Sequence, residues 1–338
     1  MTIAIHDSKG SFSDRWIRYC KEKGVAYKTV DCYDNNIIAQ VQDCDGLMWH
    51  FHHAKPEDWL IAKPLLYALA AKPGFRVFPD FNTAWHFDDK ISQKYLLESV
   101  GAPLVPTHVF VNESDAREWA GSATYPVVFK LRAGAGSVNV SLVRSRSGAE
   151  RTIRKAFGRG YRHDSLVPLR EVLQKVREGR ASKSALLGAV GHLFIPTGFS
   201  RVHGRERGYV YFQEFIPGND HDIRVVVIDG KAFAIKRLVR EGDFRASGSG
   251  HILYDRELFD EGTVALALET AEKMGSQCAA FDFVYKAGAP MIVEMSYGFS
   301  PDGYDRCPGY WDRSLRWLEG PFDPYGWMVE MVVGNSSG

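Results

Sequence analysis

The sequence predicts a mixed α/β protein, in which an N-terminal domain of βαβ type precedes a larger α+β region. Over the first 80 or so residues, short apolar strands alternate with helical patterns, which is the rhythm of a parallel sheet. From about residue 205 onward, apolar runs are separated by turn signals, which is typical of antiparallel hairpins. A chain of 338 residues is long enough for two or three domains with cores of their own.

The composition is that of an ordinary globular protein, with 45% hydrophobic residues, 25% charged residues and a formal net charge of +1. We expect a cytoplasmic protein without a membrane span, because the N-terminus lacks a basic region followed by a long apolar run. No window approaches the roughly eighteen apolar residues of a transmembrane helix. The five cysteines are widely spaced and form no Cys-x-x-Cys pair, so we expect reduced thiols rather than disulfides or zinc ligands.

The charge is unevenly distributed along the chain. Residues 144–183 contain 12 Lys and Arg against 4 Asp and Glu. Basic segments attract nucleic acid, anionic membranes or acidic substrates. This one lacks the aromatic interleaving of single-strand binders, so we expect a solvated helical face and no nucleic-acid binding. Whether its charge helps to hold polyphosphate is left open.

The N-terminal domain ends its third predicted strand in a histidine cluster, His50, His52 and His53. The predicted elements here are Thr2–His6, a helix over Ser13–Lys23, Tyr27–Val30 and Gly46–His50. The carboxyl end of a strand is where α/β sheets bind ligands. The cluster has no His-Glu-x-x-His pattern, which argues against a metal and leaves contact with substrate as the functional alternative.

The stretch VVFKLRAGAGSVNV, residues 127–140, places a lysine beside a glycine-rich run. It is neither a P-loop nor a dinucleotide motif, because Lys130 precedes Gly134 and Gly136, and an alternating strand pattern, not a helix, follows Asn139. We therefore expect a β-hairpin whose tip offers backbone N–H groups to phosphate. Read alone, the segment also fits an ordinary hairpin with a solvated lysine.

Three further segments contain candidate site residues. A helix is signalled from Asp88 or Asp89 to Gly101, with Lys90 in its first turn. The apolar strand 209–216 offers a flat wall and backbone groups suited to an adenine ring. Strands 223–228 and 231–237 flank an Asp-Gly turn, and Arg237 emerges at the end of the second strand.

Asp282 and Glu294 are the most informative pair, because they lie on two strands joined by a short turn. If Tyr285 faces Met291, then Asp282 faces Glu294, with Cβ atoms roughly 5 Å apart. Opposed carboxylates in an apolar sheet repel each other unless a cation lies between them, and oxygen ligands favour Mg²⁺ or Mn²⁺. Ser296 lies on the same face and is a candidate third ligand. The alternative is that one carboxylate simply points to solvent.

Taken in order, these motifs resemble one family, the ATP-grasp ligases, and within it the RimK-like and related carboxylate–amine ligases. The resemblance runs from about Phe87 to Glu294. It implies an ATP-grasp fold preceded by a pre-ATP-grasp domain at residues 1–86. Residues 126–216 would form the lid subdomain, and residues 87–125 with 217–338 the central and C-terminal subdomain.

The resemblance also implies a role for each motif. The implied nucleotide-binding residues are Lys90, Lys130, Gly134, Gly136, Ser137, Gln213, Glu214, Phe215 and Ile216, with Asp222, or alternatively Asp220, for the ribose. The implied catalytic cations are Arg237 and Arg245, and the implied Mg²⁺ or Mn²⁺ ligands are Asp282, Glu294 and Ser296. Ser296 stands where the family usually has asparagine, which leaves the second metal position open.

The implied activity is ATP-dependent formation of an amide or peptide bond through an acyl-phosphate, with release of ADP and phosphate. A small-molecule carboxylate and an amine would be the substrates. Two alternatives remain: a phosphotransferase on the same fold, and a non-catalytic anion-binding module, against which the paired carboxylates argue. The loop 297–306 is expected to line the acceptor pocket; Tyr304, Arg306, Tyr310 and Trp311 would suit an amino acid or a sugar derivative, but aromatic residues in a C-terminal core are equally expected. The oligomeric state is left open, with a homo-oligomer as one alternative.

Overall fold

The computed structural model describes residues 1–52, 55–134, 140–162, 204–240, 244–246 and 250–334. Of the predicted site residues, Gly136 and Ser137 lie outside these ranges. So do His53, the part of the basic segment from residue 163 to 183, and loop residues 241–243 and 247–249. In the described parts of the chain, no helix is long and apolar enough to cross a bilayer.

The N-terminal domain is a parallel sheet with helices on both faces. Its strands are β1 (Thr2–His6), β2 (Ala26–Val30), β3 (Gly46–Met48) and β4 (Arg76–Phe78), and its helices are α1 (Phe12–Lys23), α2 (Ile37–Gln40), α3 (Pro56–Ala70) and α4 (Phe81–Ala84). The strand order is β2-β1-β3-β4. The side chain of Ser11 caps α1, and Gly24, with a φ of 68°, ends it. This is the parallel α/β domain that the sequence pattern predicts.

A second, antiparallel sheet carries the glycine-rich hairpin. The elements around it are α5 (Lys90–Ser99), β5 (Thr107–Phe110), α6 (Glu113–Ser122), β6 (Val127–Lys130), β7 (Ser141–Val143), α7 (Arg146–Phe157), the short strands β8 (Tyr161–Arg162) and β9 (Arg205–Glu206), and β10 (Val210–Glu214). The sheet order is β5-β10-β6-β7, so β6 and β7 form the predicted hairpin. Residues 135–139 of its tip lie outside the described ranges.

The second sheet, called the lid sheet below, also contains a strand from the segment 87–125. Strand β5 and helix α6 fall within this segment, which is predicted to belong to the central and C-terminal subdomain, and the division into subdomains stays a prediction. In the structure β5 pairs with β10, with Phe110 opposite Val210, and α6 packs against α7. No local pattern between residues 105 and 125 predicts that the partner strand is β10, which lies much further along the chain.

The third sheet is the largest and holds the carboxylate pair. Its elements are β11 (His221–Ile228), β12 (Lys231–Leu238), β13 (Ile252–Leu253), α8 (Glu261–Met274), β14 (Cys278–Lys286), β15 (Ala289–Ser296), β16 (Gly309–Trp311), β17 (Trp317–Glu319) and α9 (Pro324–Val333). The order is β15-β14-β11-β12-β16-β17, with β13 paired to β12. Asp229 and Gly230 form the predicted turn with φ values of 49° and 69°.

The two faces of the third sheet enter different hydrophobic cores. Val225 and Val227 of β11 pack in a core with residues of α8. Val226 and Ile228 pack with residues of α1, α9 and the N-terminal sheet. Because successive side chains of a strand point to opposite faces, β11 joins both cores. The N-terminal domain and the third sheet are therefore fixed against each other by shared apolar packing.

Candidate active site

Asp282 and Glu294 face each other across β14 and β15, as the sequence predicts. The register assumed at the turn was wrong by one residue, because Tyr285 pairs with Pro290 rather than with Met291. The turn is a tight two-residue turn, with φ values of 51° at residue 287 and 84° at residue 288. A bulge between Asp282 and Phe283 then shifts the register and restores the carboxylate pair.

Two arginines surround Asp282. Nη1 of Arg224 lies 3.2 Å from Oδ1 of Asp282, and Nη2 of Arg237 lies 2.9 Å from Oδ2. Arg237 also donates from Nε and Nη2 to the two carboxylate oxygens of Asp222, both at 2.7 Å. Burial alone would raise the pKa of Asp282, but the charges of Arg224 and Arg237 outweigh it and hold this pKa below its ordinary value. Asp282 is therefore an anion at neutral pH.

Lys90 links the start of α5 to Glu294 and to the glycine-rich segment. The side chain of Asp89 caps α5, which fixes Lys90 in the first turn. Its Nζ lies 3.1 Å from Oε1 of Glu294 and donates to the carbonyl of Gly134 at 2.7 Å. Burial acts to lower the pKa of Lys90, but the charges of Glu294 and Asp88 outweigh it and raise this pKa. Lys90 is therefore a permanent cation beside the pair.

Lys130, the second predicted phosphate-binding lysine, lies at the end of β6 and is buried. Its Nζ is 3.4 Å from the carbonyl oxygen of Val293, the residue left over at the bulge. Burial is the main cause that lowers the pKa of Lys130 to about 8, and the nearby charge of Lys90 adds to it. The charges of Glu294 and Asp282 oppose this lowering of the pKa but do not offset it. The buried ammonium group of Lys130 is therefore suited to an anionic ligand.

The carboxylate pair fits a hard divalent cation. Oδ1 of Asp282 is buried and accepts no hydrogen bond in the described structure, although Arg224 lies within ion-pair distance. The described residues contain no group of three or more His, Cys, Asp or Glu side chains arranged so that they could hold a metal ion. Mg²⁺ is commonly held by one or two carboxylates, with substrate phosphates and water completing its octahedron. Asp282 and Glu294 match that donor set.

Ser296 is positioned on the expected face, opposite Ala280, but its hydroxyl is engaged locally. It donates to the carbonyl of Gly298 at 3.0 Å and accepts the Gly298 N–H at 3.1 Å. To ligate a metal, the hydroxyl oxygen would use its remaining lone pair or exchange the Gly298 bond. Its role as a third ligand stays a prediction.

A narrow cavity of about 130 Å³ lies between the lid sheet and the third sheet. Its described lining includes Val105, Val128, Lys130, Gln213, Glu214, Phe215, Ile216, Asp222, Val239, Arg245, Asp282, Val284, Val293 and Glu294. Apolar side chains from both sheets, such as Val128 of β6 and Val284 of β14, line this cavity together with charged groups that include Lys130, Asp282 and Glu294. This arrangement suits a flat ring with an anionic tail, as in ATP.

The predicted hinge and ribose residues all line this cavity, but two of them also support its walls. The side-chain amide of Gln213 donates to Thr107 at 3.0 Å and to the carbonyl of Val293 at 3.3 Å. Asp222 binds Arg237 with both oxygens. The alternative ribose acid, Asp220, has a side chain 85% exposed and is not among the lining residues. The geometry thus favours Asp222 over Asp220.

A wider cavity of about 530 Å³ adjoins the first, and the two share Asp282 and Glu294 as lining residues. Its described lining includes Gly10, His50, His52, Asp88, Gln93, Arg224, Ile235, Arg237, Ile252, Ser296, Phe299 and Tyr304. Of the aromatic and basic residues predicted for an acceptor pocket, Tyr304 lies in this wall. Arg306, Tyr310 and Trp311 are not among the described lining residues; Arg306 lies over Tyr254 instead.

Arg224 is the principal site residue that the sequence reasoning missed. It lines the wider cavity, and its Nε is buried without a hydrogen-bond partner in the described structure. The sequence could have indicated Arg224, because it lies two residues after the candidate ribose-binding residue Asp222, and residues two apart on a strand share a face of the sheet. Glu206 was also missed: it accepts the backbone N–H groups of Arg132 and Ala133 beside the glycine-rich segment.

Comparisons with known proteins agree with this geometry. Residues 204–305 match the model of the family described as the RimK-like ATP-grasp domain. The chain is similar in structure to a RimK domain ATP-grasp protein from Sphaerobacter thermophilus, with 17% identity, 99% of this chain and 100% of that chain covered, and a TM-score of 0.57. No match was found among curated protein sequences.

Two further structural neighbours are ligases by name. The D-alanine–D-alanine ligase of Bacillus anthracis, solved with ATP, has 12% identity, covers 99% of this chain and 96% of its own, and gives a TM-score of 0.52. The ATP-grasp ligase PsnB, solved with a minimal precursor, Mg and ADP, has 10% identity, covers 99% and 98%, and gives a TM-score of 0.54. The chain therefore has the ATP-grasp fold, and its residues 204–305 carry a RimK-like ATP-grasp domain.

Proposed function

We propose that this protein is an ATP-dependent carboxylate–amine ligase, which forms an amide or peptide bond through an acyl-phosphate and releases ADP and phosphate. The observation that carries the proposal is that Asp282 and Glu294 line both cavities. A nucleotide in the narrow cavity and a carboxylate in the wide one would meet at this pair. Because the reaction consumes ATP, we also propose that it takes place in the cytoplasm.

In the first step, an oxygen of the substrate carboxylate attacks the γ-phosphorus of ATP. The bond from that phosphorus to the bridging oxygen breaks, and ADP leaves. Charge builds on the phosphoryl oxygens, so cations held in place beforehand supply most of the stabilisation. Lys90, Lys130 and Arg237 surround the carboxylate pair, and Arg245 lines the nucleotide cavity.

The metal would act at the same place. Asp282 and Glu294 are the residues that would hold Mg²⁺ or Mn²⁺, which when bound neutralises charge on the phosphate oxygens. Lys90 lies 3.1 Å from Glu294 in this structure, so nucleotide phosphates would compete with Glu294 for its ammonium group.

In the second step, the amine nitrogen attacks the acyl carbon, and the bond from that carbon to the phosphate oxygen breaks. One amine proton passes to the departing phosphate or to solvent. Arg224 and Arg237 lie in the wall of the wide cavity beside Asp282 and suit the oxyanion of the tetrahedral intermediate. The amine therefore approaches from the wide cavity.

Nucleotide turnover with separated substrate pools tests the proposal. One pool contains carboxylates without an amine: N-acetyl amino acids, hydroxy acids, dicarboxylates and uronic acids. The other contains amines without a carboxylate: amino-acid amides, polyamines and amino sugars. The purified protein is given ATP and Mg²⁺, and ADP, AMP and phosphate are resolved by chromatography. We expect ADP and phosphate only when both pools are present.

The other outcomes are equally informative. ADP formed with one pool, together with a stable phosphorylated product, would replace the ligase by a phosphotransferase. AMP formation would exclude the acyl-phosphate route. A Glu294→Gln variant with an unchanged melting temperature serves as the inactive control, because it removes one member of the carboxylate pair while keeping the side-chain shape.

A further inference from the structure

Resting on the proposed function, we propose that Tyr304 is a catalytic residue of the second step. Its phenol O–H donates a hydrogen bond to the substrate oxygen that becomes the oxyanion when the amine attacks the acyl-phosphate. The phenol keeps its proton throughout: the amine nitrogen supplies the electron pair of the new bond, and phosphate departs with the pair of the bond that breaks. Tyr304 thereby adds an uncharged donor to the two arginines beside Asp282.

The ring of Tyr304 is held in place before any ligand binds. Tyr304 follows the turn Pro301–Gly303, and its backbone N–H donates to the carbonyl of Pro301 at 3.1 Å. Its ring meets the Phe299 ring edge-on with centroids 4.9 Å apart, and the Phe233 ring with centroids 5.6 Å apart. Only 7% of the residue is exposed. A donor that is fixed in this way needs no reorganisation during the reaction, which is the condition for effective stabilisation of a transition state.

Tyr304 lies beside the charged groups of the wide cavity. It lines that cavity together with Arg224, Arg237 and Asp282. Burial raises the pKa of Tyr304 to about 12; after burial, the strongest influences on this pKa are the charges of Arg224 and Arg237, which lower it, and of Asp282, which raises it. The phenol is therefore protonated at neutral pH, and its O–H can act as a donor near the groups that the reacting carboxylate meets.

The hydroxyl group of Tyr304 has no hydrogen-bond partner within the ranges that the structure describes. Buried tyrosine hydroxyls usually have one. Two other buried hydroxyl groups in these ranges, those of Tyr67 and Tyr325, also lack a partner, but neither residue is among the described lining residues of the two cavities. Tyr304 differs from them because a molecule in the wide cavity can supply the missing acceptor.

The arginines of the cavity are already engaged by carboxylates. Nε and Nη2 of Arg237 donate to Asp222, both at 2.7 Å, and Nη2 also lies 2.9 Å from Asp282. Nη1 of Arg224 lies 3.2 Å from Asp282. The tetrahedral oxyanion carries a full negative charge, and hydrogen bonds to charged acceptors are stronger than those to neutral ones. The bond from Tyr304 therefore gains strength as the amine attacks, which is when it accelerates the reaction.

Two phenylalanine substitutions separate this contact from a packing role. Tyr304→Phe removes only the hydroxyl group and keeps the ring beside Phe299. The matched control is Tyr325→Phe, since Tyr325 is 2% exposed, its hydroxyl lacks a partner in the described structure, and its ring centroid lies 6.1 Å from that of Phe299. Neither hydroxyl bonds another described residue, so both variants should keep the melting temperature of the wild-type protein.

The assay uses ATP, Mg²⁺ and hydroxylamine, which replaces the unidentified amine and converts the acyl-phosphate to a hydroxamate. The acid is the member of the carboxylate pool with which the wild-type protein is fastest. We expect Tyr304→Phe to lower kcat about tenfold to a hundredfold and to raise the KM for the acid less than about tenfold, because the bond is strongest in the transition state. The Kd for ATP, measured by calorimetry, should not change. Tyr325→Phe should leave all these constants within about twofold of the wild-type values.

The inference is overturned if Tyr304→Phe changes kcat less than about threefold, or if Tyr325→Phe loses as much activity. It is also overturned if the loss in Tyr304→Phe comes with a lower melting temperature or weaker ATP binding, because the hydroxyl would then have a structural role. Failure of the ligase proposal itself looks different, because then the wild-type protein forms no hydroxamate with any acid of the pool.

Discussion

The two cavities that meet at Asp282 and Glu294 are assembled in different ways. The narrow cavity is built largely from strand residues that the sequence marks by motif, such as Lys130 on β6 and Gln213 on β10. The wide cavity collects loops from distant parts of the chain, including Gly10, His50 and the residues after β15. The proposed nucleotide cavity thus draws on residues in local sequence patterns, whereas the proposed substrate cavity depends on how distant segments pack together.

The largest expected effect comes from the residue that both cavities share. Asp282→Asn removes the negative charge that Arg224 and Arg237 both contact. We expect kcat/KM to fall about a thousandfold, because charge stabilisation at the reacting atoms is lost. ADP release measures the fall. Glu269→Gln is the control: Glu269 forms only an exposed pair with Lys273, so the same change of chemistry should leave activity unaltered. Equal losses in the two variants would contradict the assignment.

Filling each cavity in turn tests whether the two are separate in function. Val284 lines the narrow cavity and Ile252 the wide one, and both side chains are partly exposed. Val284→Phe should raise the KM for ATP about tenfold and spare the carboxylate KM. Ile252→Phe should do the reverse. Initial rates with each substrate varied in turn measure both constants; parallel changes in both would show that the cavities act as one.

The pKa of Lys130 makes nucleotide binding depend on pH. This pKa is lowered to about 8, so the ammonium form that attracts phosphate is lost as the pH rises through that value. We expect the affinity for ATP, measured by calorimetry, to fall severalfold between about pH 7 and about pH 9. Lys130→Arg, which stays charged, should flatten the profile. A wild-type profile that is already flat would contradict this expectation.

The rise in pH that weakens ATP binding should increase the stability of the folded chain. Because the pKa of Lys130 is lower in the folded chain than in the unfolded one, Lys130 destabilises the fold below about pH 8. This destabilisation disappears as the pH rises towards the ordinary lysine value of 10.5. Denaturant titration of the wild-type protein and of Lys130→Met at two pH values measures the difference.

The smallest effect is expected at the rim of the narrow cavity. Nζ of Lys286 lies 3.6 Å from Oε2 of Glu214, and the two side chains are 56% and 42% exposed. Exposed pairs contribute about 0–1 kcal/mol, so Lys286→Ala should change the KM for ATP less than about threefold. A larger change would mean that charges outside the lining residues of the narrow cavity also affect ATP binding.

The sequence was most informative where partners are close along the chain. Asp282 and Glu294 could be paired because a short turn joins their strands, although the turn itself was read one residue out of register. The glycine-rich run beside Lys130 already suggested phosphate, but Lys90 could be named as a phosphate-binding residue only through family resemblance, since no local rule brings α5 beside β6. The structure gives both a physical link: the backbone N–H of Lys90 donates to the carbonyl of Arg132, just after β6.

Other features depended on contacts between distant segments. Strand β5 could not be assigned to the lid sheet, because its partner β10 lies near residue 210. The hydrogen bond from the backbone N–H of Phe12 to His50 joins the start of α1 to the segment after β3, and no local sequence pattern predicts it. For Trp311 the sequence left a substrate wall and a C-terminal core as equal alternatives, and the structure places it in the core that includes α8, beside Trp317.

Strand β11 packs in two cores, and the core that contains Val226 and Ile228 also contains helices outside the segment that matches the family model. Residues 204–305 stop short of α9 and lack α1, so in isolation the side of β11 bearing Val226 and Ile228 would be open to water. Bare apolar sheet faces and edges associate with other chains rather than remain soluble. The matched span is thus shorter than the set of elements that buries this face of β11. Grafting that span into another protein would transfer Asp282 and Glu294 without α1 and α9, which pack against this face.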